Sequence, residues 1–157
     1  MKYFFLLTTI CVFITSCKED TKRDCVLTLE KTILGGCNNK IDLRSDDLTY
    51  LYENDVTIKV SEDSVYIFVV LYNYPCKIYP FETQYKTDKD VIIMTIIDTC
   101  SPADYSCYDR CLCEYSFEFI FKRDRTKELI QKYKLLLIDP QAEEEFIILS
   151  EGIIKTN

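Results

Sequence analysis

Apolar and polar residues alternate with a period of two along much of the chain, which is the pattern of β-strands with one buried face. The clearest stretch is residues 113–122, where Glu114, Ser116, Glu118 and Lys122 fall on one face. The opposite face carries five sulfur-containing or aromatic side chains, namely Cys113, Tyr115, Phe117, Phe119 and Phe121. The alternation therefore predicts a strand whose aromatic face packs into a core.

Further strands are predicted where β-branched and aromatic residues cluster between turn residues. The complete set of predicted strands is 26–34, 56–60, 64–74, 77–85, 91–97, 113–122, 135–139 and 145–149. Residues 56–60 and 64–74 are expected to form a hairpin, and Pro80 marks 77–85 as an edge strand or a bulge. One short helix is expected at 125–132, with Leu129, Ile130 and Tyr133 facing inward.

Seven or eight short strands separated by turns predict an all-β fold, an antiparallel β-sandwich with disulfide-stapled loops. A small β-barrel is the alternative. Residues 25–157 are expected to form this single β domain. Most of its aromatic side chains are expected in the core, but those near strand ends are candidates for ligand contact. These are Tyr72, Tyr74, Tyr79, Tyr105 and Tyr108, of which Tyr105 and Tyr108 lie in the Cys-rich loop.

The N-terminus has the pattern of a secretory signal. Lys2 precedes twelve uncharged residues, 3–14, a run too short for a membrane-spanning helix. Ile14-Thr15-Ser16-Cys17 then resembles the lipobox of bacterial lipoproteins, which implies a signal peptide at 1–16, cleavage before Cys17 and acylation of its sulfur. The alternative is an ordinary secreted protein in which Cys17 merely lies near the cleavage site.

Lys18-Glu19-Asp20 resembles the surface-export signal that follows the lipidated Cys in Bacteroidota lipoproteins. The resemblance implies a lipid-anchored protein of the outer membrane, exposed at the cell surface. The alternative is a plain polar tether. Residues 17–24 are predicted to be the lipidated Cys and tether, whose seven residues after Cys17 span at most ~25 Å.

Seven cysteines follow the tether, and an extracytoplasmic location makes disulfides the expected state. They are Cys25, Cys37, Cys76, Cys100, Cys107, Cys111 and Cys113. Strand directions place the last five at one pole of the domain. Cys111 and Cys113 point the same way on one strand, so they are not expected to pair with each other. Seven is odd, so three bridges leave one thiol over.

A metal site or free thiols are the alternatives for the cysteines, but no C-x2-C spacing is present. The run from Cys111 to Phe119 is also similar to a pattern in small uncharacterised Bacteroidota lipoproteins. That resemblance implies no particular chemistry.

Composition narrows the possible functions. The chain has no His and three Gly, which excludes His-based triads, His-ligated zinc and glycine-rich phosphate loops. The net charge of −7 disfavours nucleic acid as a partner. Clustered carboxylates are interpreted as surface charge, although a loose calcium site remains an alternative at Asp88, Asp90 or the Glu143, Glu144, Glu145 cluster. No catalytic residue, cofactor or metal is predicted.

The sequence therefore favours a non-catalytic surface module that binds a glycan, a peptide or a partner membrane protein. Its loops at the Cys-rich pole, 99–112 above all, would carry the ligand site. The alternative is an inhibitor or immunity-type protein that presents the same loop to an enzyme, and an enzyme ranks last.

Overall fold

A computed structural model describes residues 26–42, 53–77, 79–101, 107–140, 142 and 145–155. The predicted signal peptide, Cys17, Lys18, Glu19, Asp20, the rest of the tether and Cys25 lie outside these residues, as does Tyr105. Within the described ranges the chain forms nine strands: β1 (Leu27–Leu34), β2 (Asn38–Asp42), β3 (Glu53–Val60), β4 (Ser64–Lys77), β5 (Glu82–Asp88), β6 (Val91–Ile97), β7 (Tyr108–Arg123), β8 (Ile130–Ile138) and β9 (Ile147–Lys155).

The strands form two sheets that pack against each other. The first has the order β1-β7-β4-β3, with β2 also paired to β7, and the second has the order β5-β6-β8-β9. The predicted all-β sandwich is confirmed. The barrel alternative is wrong, because the two sheets are not closed into a continuous ring.

Strand β7 forms the centre of the first sheet, where it pairs with β1, β2 and β4. The odd-numbered face predicted from the sequence is buried, and Phe119 and Phe121 are fully enclosed. Across the sandwich, alternate residues of β6 and β8 such as Met94 and Leu135 are fully buried too. The core is thus formed by the apolar faces of the two sheets, on which every second residue of a strand is buried.

The two sheets are not antiparallel throughout, because β6 and β8 pair in parallel. After β6 the chain leaves the second sheet, crosses the first sheet as β7, and returns as β8. Such a crossover is what a parallel pair requires. The local sequence does not predict that β6 and β8 are parallel, because their relative direction results from the path of the chain between them.

Several predicted boundaries are wrong for related reasons. The strand predicted at 77–85 is divided, because β4 continues to Lys77 and Pro80 lies in the link before β5. Pro has no N–H for a sheet ladder, and the chain changes sheets at this point. β3, β7, β8 and β9 are likewise longer than predicted, since pairing with neighbours extends them beyond their apolar centres.

The helix predicted at 125–132 is also wrong, because these residues form a turn that leads into β8. Asp124 Oδ1 accepts hydrogen bonds from the backbone N–H and the hydroxyl of Thr126, at 3.0 and 2.6 Å. Leu129 and Tyr133 are buried as expected, but Ile130 is 60% exposed at the start of β8. Pairing with β6 and β9 overrides the weak helical pattern.

The Asp124 turn should make stability depend on pH. The hydrogen bonds from Thr126 hold the pKa of Asp124 below its ordinary value of 3.8. The ionised Asp124 therefore stabilises the folded state fully above pH 3.8, and this contribution is lost as the pH falls through the lower pKa of the folded state. We expect Asp124→Asn to be less stable than the wild type at pH 7, with a difference that shrinks below about pH 4.

Denaturant unfolding at pH 7, 5, 4 and 3 measures this difference. Thr126→Val removes the hydroxyl donor and should weaken the same pH dependence. A stability gap between wild type and Asp124→Asn that stays constant down to pH 3 would contradict the assignment.

Candidate functional site

Three chain segments meet at one end of the sandwich, which we call the disulfide pole. They are the end of β4, the segment after β6 and the start of β7. Three disulfides join them to one another and to the β1–β2 link: Cys37–Cys113, Cys76–Cys111 and Cys100–Cys107. The predicted disulfide bonding is confirmed, and the five cysteines placed at this pole do lie there.

Each disulfide has a different structural role. Cys76–Cys111 cross-links β4 to β7, and Cys37–Cys113 ties the β1–β2 link to β7, 76 positions away in sequence. Cys111 and Cys113 take different partners, as their shared direction on β7 requires. Cys100–Cys107 closes a short loop around residues 102–106, which lie outside the described residues. Bridges that close long loops typically contribute ~2–4 kcal/mol.

A buried ion pair lies beneath the disulfides. The Lys77 ammonium contacts Asp98 Oδ1 at 2.5 Å, and the two side chains are 1% and 0% exposed. Asp98 Oδ2 accepts hydrogen bonds from the hydroxyls of Tyr74 and Tyr108, each at 2.9 Å. Asp98 Oδ1 also accepts the backbone N–H of Cys100 at 2.8 Å. One carboxylate thus joins β4, β7 and the segment after β6.

Burial shifts the pKa values of two partners of Asp98, Lys77 and Tyr74, in opposite directions. It lowers the pKa of Lys77, and the hydrogen bond and charge of Asp98 act against that shift. Burial, followed by the charge of Asp98, raises the pKa of Tyr74, which therefore remains a hydrogen-bond donor. The Lys77 ammonium also lies 3.8 Å from the centre of the Phe81 ring. The charge on Lys77 is therefore balanced inside the protein by Asp98.

An open cleft of about 340 Å³ adjoins this pair, and we call it the aromatic cleft. The floor is formed by four buried side chains, those of Lys77, Phe81, Tyr115 and Phe117. The rim is formed by six half-buried or exposed residues, which are Leu34, Gly35, Gly36, Cys37, Tyr79 and Pro80. Phe81 packs edge-on against Tyr115 and Phe117, with ring centres 5.0 and 5.1 Å apart. None of these ten described residues is acidic.

One wall of the cleft is formed by Gly35 and Gly36, and its position depends on a close approach between the β1–β2 link and the backbone of β7. Gly35 N–H donates to the carbonyl of Ser116 at 2.7 Å. A Cβ at position 35 would lie 2.1 Å from Ser116 Oγ and 3.0 Å from the Ser116 carbonyl oxygen. Only glycine lets the β1–β2 link lie so close to β7, so Gly35 sets the position of this wall.

The ligand candidates from the sequence have different positions in the structure. Tyr79 is 55% exposed on the rim of the cleft. Tyr74 is buried, Tyr72 is half-buried on β4, and Tyr108 is half-buried and bonded to Asp98. Tyr105 lies outside the described residues. Tyr79 is thus the candidate that lines the aromatic cleft.

Sequence reasoning missed the residues that build the site around Tyr79. No alternation pattern marks Lys77, Phe81 or Asp98, and the alternation along β7 predicts only a core position for Tyr115. A charged residue that directly follows a buried strand, such as Asp98 after β6, is the signal that was available. Lys77 belongs to the first sheet and Asp98 follows a strand of the second. Their contact therefore depends on how the two sheets pack, which a local sequence pattern does not predict.

Within the described part of the chain, three cysteines lie close enough together to hold a metal ion. The Sγ atoms of Cys37, Cys76 and Cys113 lie within 4.8 Å of one another. All three are in disulfides, and sulfur in a disulfide is not the thiolate that soft metals need. At the alternative calcium site, Asp90 is ion-paired to Lys132 at 2.8 Å, and Glu143 and Glu144 lie outside the described residues.

Two further cavities differ from the aromatic cleft. One of about 280 Å³ lies beside Tyr85 and Phe146. A wide groove of about 920 Å³ runs between β3 and β9, along Val60, Ile153 and Arg123. Neither adjoins a disulfide or a buried ion pair, so the aromatic cleft is the best-supported candidate site.

No known family model, curated protein or solved structure matches this chain. In the part of the chain that the structure describes, no helix has the length and apolar character needed to cross a membrane.

The ion pair should show strong coupling between Lys77 and Asp98. Asp98→Asn removes the carboxylate charge that contacts the ammonium, and we expect a loss of about 3–5 kcal/mol in unfolding free energy. Lys77→Met combined with Asp98→Asn removes both charges and should recover much of that loss.

Urea unfolding of the two single variants and the double variant measures the coupling. The double variant should be more stable than Asp98→Asn alone. Simple additivity of the two single losses would show that the ion pair is not the interaction that holds the pole together.

Proposed function

We propose that this protein is a lipid-anchored binding module of the cell envelope, and that the aromatic cleft is its ligand site. The cleft volume of about 340 Å³ lies in the range of small-ligand sites, ~300–1,000 Å³. The walls are aromatic and apolar, and two disulfides fix the strands around them. A rigid, preformed site of this kind binds its ligand with little loss of conformational entropy in the protein.

The position of the cleft relative to the N-terminus supports an outward-facing role. The described chain begins at Val26, whose carbonyl accepts the N–H of Asp124 at 3.0 Å, and Leu27 pairs with Arg123. Cys113 lies ten residues earlier on β7, which is ~33 Å along an extended strand. An acyl anchor at Cys17 would therefore join the domain at the end opposite the cleft, which would face away from the membrane.

A neutral glycan is the ligand class that the cleft supports best. The exposed ring of Tyr79 offers a flat apolar surface to a sugar ring, with Leu34 and Pro80 beside it. The Tyr115 hydroxyl accepts the backbone N–H of Lys77 at 2.9 Å and adds a polar group to the floor. Because Asp98 balances Lys77 and the lining carries no carboxylate, neither charged sugars nor cations are favoured.

The proposed activity is binding without chemistry. Asp98 is the carboxylate that is buried among the described residues, and three donors and an ammonium already occupy it. The chain contains no His to act as a base. The residues of the cleft are therefore suited to recognition rather than to proton transfer.

An inhibitor or immunity-type protein is the second candidate. Cys100 and Cys107 are 4% and 1% exposed, so the loop between them has a buried, cross-linked base. A loop held in this way suits insertion into the active site of a partner enzyme. Its ligand would be a protein that contacts the loop rather than a sugar in the cleft.

Glycan binding should depend on Tyr79. Screening the protein against a panel of neutral oligosaccharides identifies a ligand, and calorimetry then gives its affinity. We expect Tyr79→Ala to weaken binding at least about tenfold, or ~1.4 kcal/mol, because the exposed ring is the main contact surface. Stability should change little.

Ile130→Ala is the matched control, because Ile130 is 60% exposed and lies at the opposite end of the domain. Equal glycan affinity for the two variants would disprove the cleft assignment. Capture of a stoichiometric enzyme that Tyr79→Ala retains, and that deletion of residues 102–106 abolishes, would favour the inhibitor.

Lipid anchoring should depend on Cys17. We expect Cys17→Ser to move the protein from the membrane fraction into the soluble fraction after an alkaline wash, because the acyl chains would supply the anchor. Cys25→Ser is the control and should leave the fractionation unchanged. Retention of Cys17→Ser in the washed membranes would show that the lipobox interpretation is wrong.

A further inference from the structure

Four cysteine sulfurs at the disulfide pole form one continuous row. Cys37 is bonded to Cys113, and Cys76 is bonded to Cys111. The Sγ atoms of Cys113 and Cys76, which belong to different disulfides, lie only 2.9 Å apart. The order of sulfurs is therefore Cys37–Cys113, then Cys76–Cys111, with a direct contact between the two bridges.

This arrangement places sulfurs of two disulfides close enough for thiol–disulfide exchange. Exchange proceeds when a thiolate attacks one sulfur of a disulfide and the other sulfur leaves. If Cys113 is released from Cys37, its sulfur already contacts Cys76. Cys111 and Cys113 lie two residues apart on the same face of β7, so both present a sulfur to Cys76 from the same strand.

Only one of the four sulfur-bearing residues is open to solvent. Cys37 is exposed and lines the aromatic cleft, whereas Cys76, Cys111 and Cys113 are at most 4% exposed. An external thiolate therefore meets the row of sulfurs at Cys37. The site of first attack and the direction of transfer are both set by burial.

We propose that the disulfide pole is a thiol–disulfide relay that takes up a low-molecular-weight thiol at Cys37. In the first step the external thiolate attacks Cys37 Sγ, a mixed disulfide forms, and Cys113 leaves as a thiolate. In the second step the Cys113 thiolate attacks Cys76 Sγ, a Cys76–Cys113 bond forms, and Cys111 leaves as a thiolate. One thiolate is consumed and one is produced, so no oxidant or reductant is needed.

The relay has a structural consequence for the cleft. Cys37–Cys113 is the bond that ties the β1–β2 link, with Gly35 and Gly36, to β7. After the relay this link carries the incoming thiol and no longer bridges to β7, while β4 and β7 remain cross-linked. The activity goes beyond the proposed ligand binding and does not depend on it.

Cys100–Cys107 provides an internal comparison. Both residues are buried, and neither sulfur belongs to the cluster of Cys37, Cys76 and Cys113. This disulfide should therefore stay intact when Cys37 reacts.

Two matched variants test the second step. Cys37→Ser leaves Cys113 as a thiol beside the intact Cys76–Cys111 bridge, whereas Cys113→Ser removes the attacking sulfur. Non-reducing peptide mapping, with fragmentation across Leu112, should show Cys76 linked to both Cys111 and Cys113 in the first variant. In Cys113→Ser it should remain linked to Cys111 alone. Cys76 linked only to Cys111 in both variants would overturn the relay.

Reduced glutathione tests the first step in the wild-type chain, whether or not the variants fold. We expect one glutathione adduct at Cys37, with the new free thiol shared between Cys113 and Cys111 and with Cys100–Cys107 intact. Adducts that form as readily on Cys100 or Cys107, a free thiol confined to Cys113, or no adduct on the folded protein would each overturn the proposal. Glycan binding by the unreacted protein is measured separately, so failure of the relay leaves the proposed function standing.

Discussion

The buried contact between Lys77 and Asp98 is the interaction on which the disulfide pole depends. A carboxylate without a partner is costly to bury, and Asp98 is tolerated because an ammonium, two phenols and a backbone N–H all bind it. These partners come from the end of β4, the start of β7 and the segment after β6. The carboxylate therefore holds the two sheets in register at the end where the cleft lies.

The rest of the sandwich depends on a different force. Fully buried side chains of β4, β6, β7 and β8 form an apolar core, in which burial of each large residue contributes roughly 1.5–3 kcal/mol. Apolar burial is not directional, so by itself it fixes no particular pairing of polar groups at the sheet ends. The ion pair and the disulfides are directional, and they fix specific partners at one pole. The cleft and the sulfur row both lie at this cross-linked pole.

Much of the sandwich could be predicted from the sequence, but less of the site. Strand β6 was predicted at its observed bounds, and the buried face of β7 was predicted residue by residue, because alternation is a local property. The turn at Asp124 was mistaken for a helix, since spacing alone does not reveal that β8 pairs on both sides. Tyr79 was among the ligand candidates, but Lys77, Phe81 and Asp98 were not, because their roles arise from contacts between sheets.

The sequence by itself determined which face of each central strand is apolar and that cysteines gather at the strand ends of one pole. Both follow from the two-residue period of a strand and from the order of strand directions. Only the tertiary structure decided that β6 and β8 run parallel, that Cys113 pairs with Cys37, and that Asp98 meets Lys77. These pairings join residues far apart in the chain, and the packing of two sheets, rather than any local preference, selects one partner among several.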